Sequence, residues 1–187
     1  MTVYVREARF PDDAAAIAAI DTSFSTDLIY DVEASGDGFA LRERRSAKAL
    51  TKRFPLDDLY TDDRSWSHAF VAEADGRCVG FAAAGFETWN RRLVLWHLYV
   101  DPPARGQGVG RLLVDRIADL AQGLDARHIW LETTNLNHPG VAAYRALGFT
   151  LAGLDTTLYD STPAEGEVAL FFSRPVTGGS ASLVSEG

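Results

Sequence analysis

The sequence predicts a fold of the α/β (α+β) class, in which strand and helix patterns alternate along one chain. Three observations support this prediction. Apolar and polar residues alternate over residues 2–9, as in a half-buried strand. Asp75-Gly76 separates two strand-like runs and is a strong hairpin signal. A glycine-rich turn at residues 106–110 stands between an apolar strand and an amphipathic helix.

The first third of the chain contains a short regular part and a long ambiguous one. After the first strand, a proline and two aspartates precede apolar residues at helical spacing, which predicts a helix over residues 12–23. Residues 25–67 show no clear period, and we expect an irregular segment that carries substrate specificity. Within it, "LRERRSAKALTKRF" is compatible with a short basic helix or with a strand.

The rest of the chain alternates more clearly between strands and helices. "RLVLWHLYVD" predicts a strand, and a helix with one apolar stripe follows the glycine turn. A strand at "HIWLETT" precedes a helix that begins at Asn137, a good N-cap residue, and ends at Gly148. Two final strands follow in "FTLAGLDTTLY" and "EVALFFSRP". We therefore expect one domain over residues 1–176, with a disordered tail at 177–187.

Composition narrows the classes of partner. A net charge of −8 disfavours nucleic acid and suits a cationic substrate, although acidic charge also serves solubility. The sequence has no run of about 18 apolar residues and no secretory signal, so we expect a cytoplasmic protein that does not enter a membrane. Cys78 is the only cysteine, which excludes an intramolecular disulfide. The four histidines are scattered, and we expect no metal site.

The glycine turn has the layout of a phosphate site. Backbone N–H groups at a helix N-terminus lack partners, and the helix dipole favours an anion there. Gly106, Gly108 and Gly110 remove side chains that would block an approaching oxyanion, and Arg105 adds positive charge. The turn lacks the Gly-Lys-Ser/Thr end of a nucleotide P-loop and does not complete the dinucleotide pattern GxGxxG. A pyrophosphate is the expected ligand.

Two motifs resemble those of the GNAT family, the acyl-CoA-dependent N-acetyltransferases. "RGQGVG" is similar to the family's Arg/Gln-x-x-Gly-x-Gly/Ala turn, and "NHPGVAAYRALGF" is similar to its Asn-x-x-Ala-x-x-x-Tyr-x-x-x-Gly-Phe signature. The distance between them fits one helix plus one strand. This resemblance implies a mixed central sheet of about seven strands, flanked by about four helices, with a V-shaped splay between strands 4 and 5. It also implies acetyl-CoA as co-substrate.

Most of the chain is also similar to the streptothricin acetyltransferases, which acetylate an amine in the β-lysine part of that antibiotic. The similarity is densest after Phe86 and excludes the tail and the acidic loop "PLDDLYTDDRSW". One stretch departs from the pattern: those enzymes carry acidic side chains in the fourth strand, where this sequence has Trp96, His97 and Tyr99. This difference affects which acceptor the enzyme is expected to bind, but it does not affect the expected acetyl-transfer chemistry.

The resemblance assigns roles to individual residues. Tyr144 is expected to be the general acid near the thioester sulfur, because a phenol is neutral at pH 7 and can donate a proton; a core aromatic is the alternative. Main-chain groups of Leu98 and Val100 would pair with the pantetheine arm, and Asn137 would contact the cofactor. The pyrophosphate would lie against the turn formed by Arg105, Gly106, Gln107, Gly108, Val109, Gly110 and Arg111.

The general base and the acceptor site are left more open by the sequence. His97 is the candidate base, since its ordinary pKa suits neutral pH, unless strand alternation points it away from the cleft. Glu132, Glu87 and a relayed water are rivals. Acidic and aromatic side chains attract ammonium groups, or else form a solvated charged face. The candidate acceptor-binding residues are Tyr30, Asp31, Glu33, Trp89, Glu132 and Asp155.

Three functions are compatible with these observations. The first is acetyl-CoA-dependent N-acetylation of a primary amine on a small cationic molecule, by direct attack in a ternary complex, with streptothricin as a candidate and antibiotic resistance as the outcome. The second is acetylation of a protein or peptide. The third is a catalytically silent acyl-CoA-binding module. We expect a monomer or a homodimer in each case.

Overall fold

The protein's structure is a computed structural model that describes residues 2–176, so the tail predicted at 177–187 lies outside the described residues. The strands are β1 Val3–Glu7, β2 Ser23–Ser35, β3 Gly38–Arg53, β4 His68–Ala74, β5 Arg77–Glu87, β6 Arg92–Val100, β7 His128–Thr134, β8 Thr150–Asp155 and β9 Ala169–Pro175. The helices are α1 Ala14–Ala18, α2 Val109–Gly123 and α3 His138–Ala146, with short 3₁₀ turns at Asp57–Tyr60 and Pro102–Ala104.

Seven strands form one mixed sheet in the order β1-β4-β5-β6-β7-β9-β8. Every neighbouring pair is antiparallel except β6 and β7, which are parallel. The predicted mixed sheet of about seven strands is confirmed. The described residues contain three α-helices, where the sequence led us to expect about four.

The parallel pair opens into a V. β6 and β7 pair only from Arg92 to Val94 on one strand and from His128 to Trp130 on the other. β6 then runs on to Val100 without a β7 partner. The predicted splay between the fourth and fifth strands of the sheet is therefore present, and it leaves one edge of β6 open at the centre of the molecule.

A β-bulge at Trp96 changes which side chains of β6 face each side of the sheet. Ala84 pairs with Leu95 but Ala83 pairs with His97, so Trp96 is an extra residue on β6. A bulge of one residue reverses the alternation beyond it. Leu95 and Leu98 consequently belong to one face, whereas His97 lies on the other.

Helices cover both faces of the sheet. Most of the apolar stripe predicted for α2 is buried on one face, where Leu113 and Ile117 are inaccessible to solvent, but Leu112, which we expected on the same stripe, is exposed. α1 covers the other face and buries Ile17 against Phe81. Burying a large aliphatic side chain stabilises a fold by about 1.5–3 kcal/mol. The two helical layers therefore stabilise the sheet and keep the open edge of β6 in place.

Residues 25–53, which we expected to be irregular, form two strands, whereas residues 54–67 contain only one 3₁₀ turn and are otherwise irregular as predicted. β2 and β3 pair over their length as a long antiparallel ribbon with one register shift near Thr26, and this resolves "LRERRSAKALTKRF" as strand. The first helix is shorter than predicted, since α1 spans only Ala14–Ala18 and the predicted last residue, Ser23, is already the first residue of β2. Cross-strand ion pairs such as Asp31–Arg44 and Glu33–Arg42 line the ribbon's exposed surface. Polar residues on both faces concealed the two-residue period.

Candidate active site

A groove of about 360 Å³ lies between the open end of β6, the glycine turn and α3. The ribbon contributes one wall through Ser23, Phe24 and the adjacent Phe54. Tyr144 and Ala143 of α3 form the opposite wall. The groove therefore joins the two sequence motifs, which stand more than 25 residues apart in the chain.

The glycine turn is shaped for an anion. Gly106 and Gly108 have φ angles of +74° and +86°, a region that L side chains rarely adopt, and no heavy atom lies within 4 Å of the position a Cβ would take on either. Gly108 is the N-cap of α2 and provides no side-chain acceptor. The first N–H groups of α2 thus lack both an intrahelical and a capping partner, which fits a phosphate at this end of the groove.

Arg105 fixes the turn to the ribbon. Its Nε donates to the Val100 carbonyl over 2.9 Å, and its Nη2 donates to the carbonyls of Asp21 and Ser23 over 3.1 and 2.8 Å. Arg105 still lines the groove. Its charge therefore remains close to a bound anion while its N–H groups hold the start of β2 in place.

The remaining predicted cofactor residues divide into two groups. Leu98, Val100, Val109, Gly110 and Asn137 line the groove, whereas the side chains of Gln107 and Arg111 point elsewhere. Gln107 Nε2 donates to the Pro103 carbonyl over 2.7 Å, and Arg111 Nη2 donates to the Ala146 carbonyl at the end of α3 over 2.9 Å. The side chains of this second group brace the turn.

Asn137 organises the start of α3. Its Oδ1 accepts from the backbone N–H of Gly140 over 3.0 Å, confirming the predicted N-cap. Its Nδ2 donates to Thr133 Oγ1 over 3.0 Å. Thr133 is in turn hydrogen-bonded to the Tyr144 side chain. Because the Thr133 oxygen accepts from Asn137, its own hydrogen can go to the Tyr144 oxygen, which leaves the Tyr144 hydrogen available to the groove.

A second, smaller cavity of about 110 Å³ lies in the splay between β6 and β7. Five aromatic residues line it, together with one carboxylate, Glu132. The aromatic residues are Phe54, Trp96, Tyr99, Tyr144 and Tyr159. Tyr144, Tyr99, Leu98 and Phe54 also line the groove, so the two cavities meet at these side chains.

Tyr144 stands at the junction of the two cavities. Burial, with a smaller contribution from the Glu132 carboxylate, raises the pKa of its hydroxyl to about 12. The phenol is consequently protonated throughout the neutral range. That protonation state is what a proton donor at a leaving thiolate requires.

Glu132 is the titratable group of the small cavity. Burial raises the pKa of its carboxyl, while a hydrogen bond from the Tyr159 hydroxyl opposes the increase. A carboxyl with a raised pKa holds a proton more readily than an ordinary glutamate does. It is therefore suited to take a proton from an ammonium group that enters the cavity.

His97 lines neither cavity. The bulge directs it to the α1 face, where its ring packs against Trp66 and Phe81. Its Nε2 lies 2.7 Å from Asp58 Oδ2, and its Nδ1 is buried without a hydrogen-bond partner among residues 2–176. The structure thus places His97 in a partly buried network behind β6 and does not bring it to the meeting point of the cavities.

Of the predicted acceptor-binding residues, the structure brings Glu132 to the small cavity and places the others outside both cavities. Asp31 and Glu33 form the ribbon's ion pairs, and Trp89 is 83% exposed in the turn after β5. Tyr30 is buried and stacks on His138 with ring centroids 5.1 Å apart. Asp155 accepts from the backbone N–H of Thr157 over 2.7 Å and shapes a loop.

Several lining residues were missed by sequence reasoning. Phe54 and Ser23 reach the groove through the ribbon, and Tyr159 reaches the small cavity through the loop between β8 and β9. None of them lies in a motif. Their only sequence signal is membership of segments without a clear period, which does not reveal which side chains will face a cavity.

The structure combines a splayed parallel pair, a phosphate-type helix N-terminus at its open end and a protonated tyrosine at the junction of two cavities. These are the features that the resemblance led us to expect in an acyltransferase that takes its acyl group from coenzyme A. Residues 39–149 match the family model described as the Acetyltransferase (GNAT) family. The chain belongs to the GNAT family and is an acetyl-CoA-dependent N-acetyltransferase.

Comparison with individual proteins gives the same family. The chain is 45% identical over 181 residues to the streptothricin acetyltransferase of Streptomyces lavendulae, with 93% of this chain and 95% of that protein covered. A crystal structure of nourseothricin acetyltransferase is also 45% identical, covers 94% of this chain and 99% of its own, and superposes with a TM-score of 0.84. A crystal structure of a Bacillus anthracis protein in complex with acetyl coenzyme A shares the fold at 21% identity and a TM-score of 0.77, covering 94% of this chain and 99% of its own.

Over residues 2–176, no helix is long and apolar enough to cross a membrane. In the same range, no three His, Cys, Asp or Glu side chains are grouped closely enough to hold a metal ion.

Proposed function

We propose that this enzyme acetylates a primary amine on a small cationic molecule, with the β-lysine amine of streptothricin as the acceptor, and thereby confers antibiotic resistance. One observation supports this above all: Glu132 is the only charged side chain among the described residues lining the aromatic cavity beside Tyr144. Carboxylates and aromatic faces both attract ammonium groups. The similarity to streptothricin and nourseothricin acetyltransferases points to the same acceptor.

The cavity's size supports entry of only part of the acceptor. A volume of about 110 Å³ is below the roughly 300–1,000 Å³ of clefts that enclose a drug-sized ligand. The amine-bearing arm would enter between Trp96 and Tyr159, and the rest of the antibiotic would remain at the mouth. The acidic strand residues of related enzymes are then replaced here by aromatic contacts, with Glu132 on β7 supplying the negative charge.

The residues of the groove and of the small cavity together provide the chemistry in a ternary complex. Bound acetyl-CoA supplies the acetyl group as a thioester. Gly106, Gly108 and the N-terminus of α2 hold its phosphates, and the open edge of β6 at Leu98 and Val100 pairs with its pantetheine arm. Glu132 takes the proton from the acceptor ammonium, directly or through water, and the neutral amine forms the new C–N bond. Tyr144 gives its proton to the departing sulfur as the C–S bond breaks.

Thiol release from acetyl-CoA tests the acceptor. Streptothricin is compared with spermidine, lysine and short peptides at equal concentrations. We expect the highest kcat/KM with streptothricin. Turnover with peptides alone would instead identify a protein acetyltransferase, and binding of acetyl-CoA without turnover on any acceptor would contradict catalysis.

A matched pair of variants tests the base. Glu132→Gln removes the carboxylate at nearly constant shape, and we expect kcat/KM to fall by about 10²-fold or more, the usual contribution of a general base. Glu165→Gln makes the same change at an exposed position and should leave the rate unaltered. Equal rates in the two variants would exclude Glu132 as the base.

Three further properties complete the proposal. Residues 1–176 act as one domain, since the sheet and ribbon share the groove. The protein works in the cytoplasm, where acetyl-CoA is available. It is active as a monomer or homodimer, because the described residues of one chain line both cavities.

A further inference from the structure

The loop between β8 and β9, residues 156–168, forms a wall of the acceptor cavity that neither sequence motif includes. Tyr159 in this loop lines the small cavity and donates its hydroxyl hydrogen to Glu132 Oε1. The carboxylate of Glu132 is thus fixed in direction by a group from outside its own strand. A hydrogen-bonded donor of this kind limits the rotamers available to a carboxylate.

A second contact joins the same loop to the ribbon. Lys52 of β3 donates to Glu167 Oε1 over 2.6 Å, and both side chains are largely buried, with exposures of 25% and 14%. Lys52 also lies 5.8 Å from the centre of the Phe54 ring, which lines both cavities. Lys52, whose charge acts on Glu132, is therefore already paired with another carboxylate.

This arrangement matters because Lys52 is the natural competitor of an acceptor ammonium. If its ammonium turned to Glu132, the base would lose its affinity for a proton, and the substrate would lose its negative partner. Glu167 prevents this by holding Lys52 at the loop. Tyr159, for its part, occupies one oxygen of Glu132 and leaves the other for the acceptor.

We propose that Tyr159 and Glu167 are positioning residues for the acceptor site: Tyr159 orients the Glu132 carboxylate, and Glu167 keeps the Lys52 ammonium away from it. The proposal rests on the role of Glu132 in the proposed function. It assigns to one loop the task of keeping a single carboxylate directed at the incoming amine.

The two residues act on Glu132 in opposite directions. The groups around it are Tyr159 and Glu167 from the loop, Lys52 from β3, Tyr144 from α3 and Tyr99 from β6. The hydrogen bond from Tyr159 lowers the pKa of Glu132, as does the charge of Lys52, and the charge of Glu167 raises it. The tyrosines at 99 and 144 have raised pKa values of their own and stay neutral at assay pH.

The pH dependence of kcat/KM distinguishes the two roles. A base works as its carboxylate, so kcat/KM falls as pH drops through the pKa of Glu132 in the free enzyme. Tyr159→Phe removes a donor to the carboxylate, and the acidic limb should move to higher pH. Glu167→Gln removes a negative neighbour and releases Lys52, so the limb should move to lower pH while KM for the amine increases.

Matched variants separate these effects from loss of structure. Tyr60→Phe alters an exposed tyrosine, and Glu165→Gln alters an exposed carboxylate of the same loop. Both should reproduce the wild-type profile. All variants should bind acetyl-CoA with unchanged Kd and keep the wild-type Tm within a few degrees, because the groove residues are untouched. The double variant Lys52→Met/Glu167→Gln should restore KM by removing the released cation.

The outcomes also separate this proposal from the one on which it depends. Absence of turnover in the wild-type enzyme would reject the proposed acceptor, and a normal rate in Glu132→Gln would reject the base. If the wild-type enzyme turns over and Glu132→Gln is slow, acidic limbs of the Tyr159→Phe and Glu167→Gln profiles that move in opposite directions support the positioning roles. Acidic limbs that stay at the wild-type pH, or that move in the same direction in both variants, overturn these roles.

Discussion

Replacing Gly108 by aspartate or by asparagine separates the charge of the anion site from its shape. Gly108 has a φ of +86° at the N-cap of α2, and a Cβ there meets no heavy atom within 4 Å. Both replacements have nearly the same shape, and both residue types tolerate positive φ better than most. Any difference between them therefore reports the carboxylate alone.

The expected magnitudes follow from this geometry. Left-handed backbone is less stable by about 1–2 kcal/mol for a residue with a Cβ, so both variants should lose about 2–8 °C in Tm for a chain of this length. A carboxylate about 4 Å from a phosphate is repelled by about 1 kcal/mol in water and about 4 kcal/mol at the dielectric of a protein surface. At about 1.4 kcal/mol per tenfold change, the aspartate variant should bind acetyl-CoA about 5-fold to 700-fold more weakly than the asparagine variant.

Isothermal titration calorimetry of both variants with acetyl-CoA measures the difference. The ratio of the two Kd values should shrink when salt is raised, because ionic screening weakens repulsion between exposed charges. Equal Kd values for the two variants at low salt would show that no phosphate lies at the turn, and the assignment of the groove would then be wrong.

Three further predictions concern single side chains. Tyr144→Phe should lower kcat by about 10²-fold while leaving the Kd for acetyl-CoA unchanged; since its pKa is raised to about 12, the wild-type rate should show no basic limb from this residue in the neutral range. Asn137→Ala should lower the free energy of unfolding by about 1 kcal/mol through loss of the N-cap, measurable by urea denaturation. The hydrogen bond from Arg6 lowers the pKa of Asp13 from 3.8 to about 2, so Asp13→Asn should remove about 2 kcal/mol of stability at pH 7 but almost none below pH 2, and a constant difference across that range would contradict the pairing.

The parts of the fold that the sequence predicted are those with a local physical cause. The hairpin at Asp75-Gly76, the stripe of α2 and the Asn137 cap each arise within a few residues, so a pattern identifies them. The glycine turn is of the same kind, because its positive φ angles select glycine wherever it occurs.

The parts that escaped prediction depend on contacts between distant segments. The ribbon has no clean apolar face, since Asp31 and Arg44 pair across its exposed side, and a two-residue period is lost when both faces carry polar groups. Tyr159 reaches Glu132 only because the loop after β8 folds back across the splay. The orientation of His97 depends on a bulge that shifts the register by one residue, and such a shift has no signature in composition.

That single extra residue in β6 also limits how the enzyme can diversify. Substitutions at Trp96 change the wall of the acceptor cavity without disturbing the strand, because its position lies outside the ladder. Deletion of one residue there would instead exchange the two faces beyond it, burying Leu98 behind the sheet and turning Tyr99 into the α2 core. The range of acceptors can therefore change through substitution at Trp96, whereas the number of residues in β6 cannot change without exchanging its two faces.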